Sequence, residues 1–261
     1  MPKTALATFL PHLGRLGRAT RWRRTRGRPR IWAHRGDSAN APENTMLAFD
    51  KAAAAGADGI ELDVQLDADH HVVVFHDDSL DRLCGRAGRI QDLAATERVT
   101  LRVRGEPIPL LAEVLHSFDV EVNVEIKSQK TGRMGELVAA TAKVIKESGR
   151  ADQIVVSSFD PIALVQLHRH LPDVALAYLF HEDQALPMRR GWVGNWTGAS
   201  LVHPQHTLCT EQSVKRWHTA GMPINAWTVD DPNELKRLAL LGIDGVFCND
   251  VAHAVKILSS P

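Results

Sequence analysis

Cysteine is scarce in this chain. Cys84, Cys209 and Cys248 are the only three among 261 residues. They are odd in number, far apart and without CxxC spacing. That argues against a disulfide framework or a cysteine-bound zinc, and reads as reduced thiols in a cytoplasmic protein. Long apolar runs are missing too; none approaches the length a membrane-spanning helix needs. No GxSxG surrounds Ser157 or Ser158, so a serine hydrolase is not expected. No convincing internal repeat occurs. Net charge is also absent, with 31 basic residues against 31 acidic ones.

That balance hides an asymmetry. Nine of the basic residues lie within positions 1–30, which hold no acid, so 22 basic residues face 31 acidic ones beyond, a net of −9. Leu6, Phe9, Leu10, Leu13 and Leu16 recur at helical spacing ahead of the arginines, with Pro11 interrupting them. The charges follow the apolar stretch, the reverse of a secretory signal. The arm is read first as a solvated, poorly ordered tail or a surface helix. Its second reading is a basic amphipathic segment resting on anionic lipid, which would make the protein membrane-associated. A cleaved targeting peptide or a nucleic-acid arm comes last. Aromatic interleaving is confined to Trp22, so nucleic acid is not an expected partner. The expected division is an arm, 1–30, and one catalytic body, 31–261.

The length suits an eight-unit α/β barrel. From Ile31 onward short apolar runs alternate with helical patterns: IWAHRG, GIELDVQL, VEVNVEIK, QIVVSSF, VALAYLF, ASLVHPQ, PINAWTV and DGVFCND. Eight such runs predict a parallel sheet closed into a (βα)8 TIM barrel. Gly149, Gly221 and Gly242 read as helix stops. Residues 181–198 make a poor helix, so the fifth unit should be irregular. Residues 79–109 break the alternation and read as a small insertion after the second-strand hairpin, placed to cover part of the upper rim.

Chemistry in such a barrel gathers at the C-terminal ends of the strands. Glu61 and Asp63 sit two apart in an apolar run, so both point to one face, and paired carboxylates there are costly without a cation. Their flanks, Ile60, Leu62 and Val64, suggest burial on both sides. The third strand adds Glu125 and Lys127, and the first ends in His34 and Arg35. Asp67–His70 is turn-like, so GIELDVQL and HVVVFHDD should form an antiparallel hairpin. A turn centred between Ala68 and Asp69 would set Glu61 opposite His76 and Asp63 opposite Val74. Hard oxygen donors without cysteine suit Mg²⁺ or Ca²⁺. Arginine and lysine beside them suit a phosphate.

HRG at 34–36, PENT at 42–45, ELDV at 61–64, FHDDSLDR at 75–82, GRIQDL at 88–93, VEIK at 124–127 and WTV at 227–229 resemble the glycerophosphodiester phosphodiesterase family of TIM-barrel phosphodiesterases. The match runs in order over about residues 31–255 and leaves out the arm. It departs at LCGRAG, where the family more often has threonine and glycine, and slightly at PLLAEVL. The resemblance implies hydrolysis of glycerophosphodiesters to glycerol 3-phosphate and an alcohol with one divalent ion. Carried over by position, Glu61, Asp63 and Glu125 would hold the metal, and His34 and His76 would be the acid–base pair. Arg35 and Lys127 would bind phosphate, and Trp227 would pack on the glycerol.

A duller account stands beside each residue. A lone histidine at a strand end is most often a satisfied structural group, and His203 keeps that reading. Asn44 reads at least as well as a helix N-cap as it does a ligand. Glu43 is expected to support the site from behind. His34 is read as base and His76 as acid. Two alternatives are a lysophospholipase D-like activity on membrane lysolipids and an inactive barrel that only binds phosphate ligands.

Overall fold

The computed structural model describes residues 21–24, 27–127 and 132–259. Eight parallel strands form the barrel: β1 Arg30–Ala33, β2 Gly59–Leu66, β6 Glu121–Ile126, β7 Ile154–Ser158, β8 Ala175–Phe180, β9 Leu201–Pro204, β10 Asn225–Ala226 and β11 Gly245–Cys248. They run β10-β11-β1-β2-β6-β7-β8-β9. Parallel bridges Val202–Ile224 and Gln205–Trp227 then join β9 to β10, so the ring closes. All eight runs picked out by sequence become staves.

Every residue of β2 is buried, as are those of β7, β8 and β9. Parallel strands covered on both faces need continuous apolar sequence, and that is why these runs stand out. The helix Met46–Ala54 starts on Thr45, whose hydroxyl accepts from Ala48 N. Asp160 and Asp231 cap Pro161–His170 and Pro232–Leu241 in the same way, each followed by proline in the first turn. Gly149 and Gly242 end their helices at positive φ, where a side chain would be strained. The fifth unit holds only two single turns, Leu186–Arg189 and Gly194–Thr197, within the irregular stretch.

Two features depart from expectation. The barrel takes in residues that read as arm: Trp22 is buried, its ring 5.8 Å from that of Trp32, and packs with Val155, Ala175 and Phe247. Arg30 lies within β1 and reaches Glu121 at 3.0 Å. The reading of residues 1–20 lies outside the described residues. The hairpin is also one residue out of the expected register. β3, Val72–Val74, pairs Val64 with Val74 and Leu66 with Val72. Asp63 O then accepts from Phe75 N, not from Val74. The cause lies in the loop. Asp67 and His71 close it with an N–H···O bond, so three residues form the tip. His70 takes positive φ, and the Asp67 carboxylate accepts from Asp69 N and His71 N. Side-chain hydrogen bonding at Asp67 thus outweighs the shorter turn.

The insertion packs Leu80, Leu83, Ile90, Leu93, Val103 and Ile108 in a small core with Val73 and Phe75 of the hairpin. It contains a two-stranded ribbon, β4 Arg102–Val103 with β5 Glu106–Pro107. Among the described residues no helix is long and apolar enough to cross a membrane.

Candidate active site

Strand register sets the acidic centre. Asp63 of β2 lies beside Glu125 of β6, and Glu61 two residues earlier shares the inward face. Ligand oxygens of Glu61, Asp63 and Glu125 all fall within 4.8 Å of one another. Glu61 and Asp63 are almost fully buried. Burial, then the charges of Asp63 and Glu125, raises Glu61 well above the usual carboxylate range. Burial likewise raises Glu125 to about 7, against the pull of Lys127. Burial works to raise Asp63 as well, but Lys127, Arg35, His76 and the Asn44 amide outweigh it and hold that group at about 2. Three carboxylates with that much mutual repulsion form a cluster that could hold a metal ion, and their all-oxygen donors fit a hard divalent cation.

The cations follow from the same strand ends. Lys127 Nζ lies 3.1 Å from Glu125 Oε1 and 3.7 Å from Asp63 Oδ1. Arg35 has positive φ, which turns its backbone N–H onto Glu61 Oε2 at 2.8 Å. Its guanidinium donates to Glu43 Oε1 at 2.8 Å and lies 3.4 Å from Asp63. Glu43 thus stands behind Arg35 and away from the carboxylate trio.

His34 and His76 line one cavity with Arg35, Glu61, Glu125 and Lys127. Their partners differ. His34 Nδ1 faces the amide oxygen of Asn249 at 2.8 Å, while His76 Nδ1 faces the carboxylate of Asp77 at 2.7 Å. Burial and the Arg35 charge lower His34 below its ordinary value. Phe159, Leu179, Trp227 and Phe247 supply the apolar wall. Trp227 meets Phe159 edge-on at 5.5 Å, and its indole N–H donates to His203 O, so the ring face remains for a ligand.

One contributor was weighed mainly in another role, and others were not singled out by sequence. Asn44 is not the helix cap: Thr45 is, and Asn44, at positive φ, sends its amide to Asp63 Oδ2 at 2.8 Å. Gln65 continues the two-residue series of Glu61 and Asp63, which is the signal that could have marked it. Asp77 stands next to His76 in sequence. Arg82, from the insertion, donates to both Glu43 and Asp77 at 2.6–2.8 Å. It fills the second acidic grouping, Glu43, His76 and Asp77, as an ion-pair partner. His203 is buried with Nε2 on the Asn225 amide, but its Nδ1 meets no partner, so it is only half satisfied. Ser157 and Ser158 bond to Asn123 and the Ile126 carbonyl.

Comparison with known proteins agrees with this geometry. Residues 34–253 match the family model described as the glycerophosphoryl diester phosphodiesterase family. The chain is 34% identical over 244 residues to a glycerophosphodiester phosphodiesterase of Caldanaerobacter subterraneus subsp. tengcongensis, covering 87% of this chain and 97% of that one. A solved glycerophosphodiester phosphodiesterase from Thermotoga maritima is 31% identical with a TM-score of 0.74, over 88% of this chain and 98% of its own. A phosphodiesterase from Oleispira antarctica, solved with its product sn-glycerol-3-phosphate, is 28% identical with a TM-score of 0.81, over 89% and 98%.

Proposed function

The chain belongs to the glycerophosphoryl diester phosphodiesterase family, and from that premise we propose that it hydrolyses glycerophosphodiesters to sn-glycerol 3-phosphate and an alcohol. The observation that carries this reading is the cavity itself, where three carboxylates, two imidazoles and two fixed cations meet.

A phosphodiester resists attack because its anion repels nucleophiles and an alkoxide leaves poorly. Glu61, Asp63 and Glu125 would hold Mg²⁺ or Ca²⁺, which withdraws charge from a non-bridging phosphoryl oxygen when bound. Arg35 and Lys127 offset the charge that grows on the phosphoryl group, and Glu43 keeps the Arg35 guanidinium in place. Burial and the Arg35 charge favour the uncharged ring of His34 and outweigh the Asn249 contact, which works the other way; the uncharged ring is the form a base needs. The Asp77 carboxylate meets His76 Nδ1 at 2.7 Å and so orients the ring for the role of acid. In the first step His34 takes the proton of the attacking oxygen, from water or the neighbouring glycerol hydroxyl. His76 gives one to the leaving oxygen. Trp227 and Phe159 pack against the carbon side of the glycerol. The reading includes a cytoplasmic protein whose basic arm touches anionic membrane.

The test is release of sn-glycerol 3-phosphate, followed by a coupled dehydrogenase. Glycerophosphocholine should be turned over, chelator should stop the reaction, and Mg²⁺ or Ca²⁺ should restore it. Turnover of lysophosphatidylcholine alone, dependent on residues 1–20, would replace this reading with the lysolipid one. Binding of glycerophosphocholine without turnover would leave only a ligand-binding barrel.

A further inference from the structure

Asp230 is exposed and does not line the cavity, yet it governs how the half-buried amide of Asn249 is turned. Its Oδ1 accepts from Asn249 N at 2.7 Å and from Asp250 N at 3.4 Å. Its Oδ2 accepts from Asn249 Nδ2 at 2.6 Å. An ionised carboxylate can only accept, so the end of the Asn249 amide that meets it must be the NH₂ group. The other end is then fixed: Asn249 Oδ1 faces His34 Nδ1 at 2.8 Å and takes the Ser38 hydroxyl at 3.0 Å. A carbonyl oxygen also only accepts, so Nδ1 of His34 must carry the hydrogen. Nε2 keeps its lone pair.

We propose that Asp230 is a positioning residue that selects the tautomer of His34 through the Asn249 amide. The proposal rests on the reading of His34 as the base. Without the carboxylate, Asn249 can turn over and present its NH₂ to Nδ1. The ring then answers with Nε2–H, and the nitrogen left to take a proton already has one. The wrong tautomer disables a base while leaving its position intact. Asp230 does not line the cavity, so it acts through this chain of two hydrogen bonds. The groups that bear on the ring charge (Arg35, Asp63 and His76) are the same in either tautomer.

The tautomer can be read without turnover. In the full chain labelled with ¹⁵N-histidine, at about pH 9 where imidazoles are neutral, two-bond proton–nitrogen correlations distinguish Nδ1–H from Nε2–H. The signals of His34 are those lost in His34→Gln. Wild type should show Nδ1–H alone. Asp230→Ala should admit Nε2–H, with kcat down roughly 10–100-fold and KM little changed. The exchanged pair, Asp230→Asn with Asn249→Asp, rebuilds each bond. The amide now at position 230 accepts from the two backbone N–H groups and donates to the carboxylate now at position 249, which in turn accepts from Nδ1–H. The pair should return His34 to Nδ1–H and recover most of kcat. Nε2–H in wild type would overturn the proposal, as would Asp230→Ala with Nδ1–H as its sole tautomer. Loss of kcat in both variants with Nδ1–H retained would mark Asp230 as structural only and would also overturn it. If wild type releases no sn-glycerol 3-phosphate, the activity reading fails, while the spectra still decide the tautomer.

Discussion

The side-chain nitrogen of Gln65 lies 3.1 Å from the carbonyl oxygen of His76, and it also meets the carbonyls of Phe75 and Asp77 at 3.0 and 2.9 Å. The ladder between β2 and β3 has ended by this point, so Gln65 takes over from it and gathers the segment that carries His76. Gln65→Leu removes this donor from the buried Phe75 carbonyl and the half-buried carbonyls of His76 and Asp77. Stability should fall by about 1–3 kcal/mol in urea unfolding, and kcat should fall as His76 loses its seat. An unchanged unfolding midpoint would show that the segment is held by other means.

Arg82 ties the two flanks of the cavity together. It grips Glu43, which holds Arg35, and Asp77, which holds His76. Its side chain is half exposed, so its ion pairs add little to global stability. Arg82→Ala should therefore lower kcat/KM by roughly 10–100-fold with little shift in melting temperature. Arg82→Lys should recover only part, because an ammonium cannot fork onto two carboxylates. Full activity in Arg82→Ala would disconnect this network from catalysis.

The carboxylate trio predicts a pH-dependent metal response. In metal-free protein Glu125 is raised to about 7, so between the unfolded value of about 4.3 and that point the folded state binds the extra proton. Its contribution to stability is thus fully present below the unfolded value and is lost as pH rises through about 7. Metal binding needs the proton gone and opposes that loss. Thermal-shift measurements with Mg²⁺ or Ca²⁺ should show weak stabilisation near about pH 5.5 that grows through about pH 7. Glu125→Gln should abolish it. A metal shift that ignores pH, or survives that substitution, would move the ion elsewhere.

Trp227 offers its ring face, its N–H being spent on His203 O. If the ring packs on glycerol as proposed, ground and transition states share that contact, and Trp227→Ala should raise KM for glycerophosphocholine while kcat changes by only a few-fold. A collapse of kcat at constant KM would assign the ring to the chemical step.

The barrel was legible because strands buried on both faces must be written in apolar residues, and eight such runs stand between helical stretches. Glu61 and Asp63 were legible by their spacing within one of those runs. What escaped depends on contacts between distant segments. Nothing periodic surrounds Arg82, and Asp230 meets Asn249 only after the chain has folded. The hairpin register turned on the hydrogen bonds of one aspartate, Asp67, rather than on the apolar pattern. Asn44 resembled a cap because the capping residue, Thr45, is its neighbour and both types cap well. Trp22 was hidden among arginines that gave the segment the look of a solvated tail.

The most direct measurement compares initial rates of sn-glycerol 3-phosphate release from glycerophosphocholine by wild type, His34→Ala and His76→Ala, at saturating Mg²⁺ or Ca²⁺ and with circular dichroism confirming intact barrels. Wild type should turn over, and each substitution should cost on the order of 10²–10⁴ in kcat. Near-normal rates in both folded variants would contradict the paired-imidazole account.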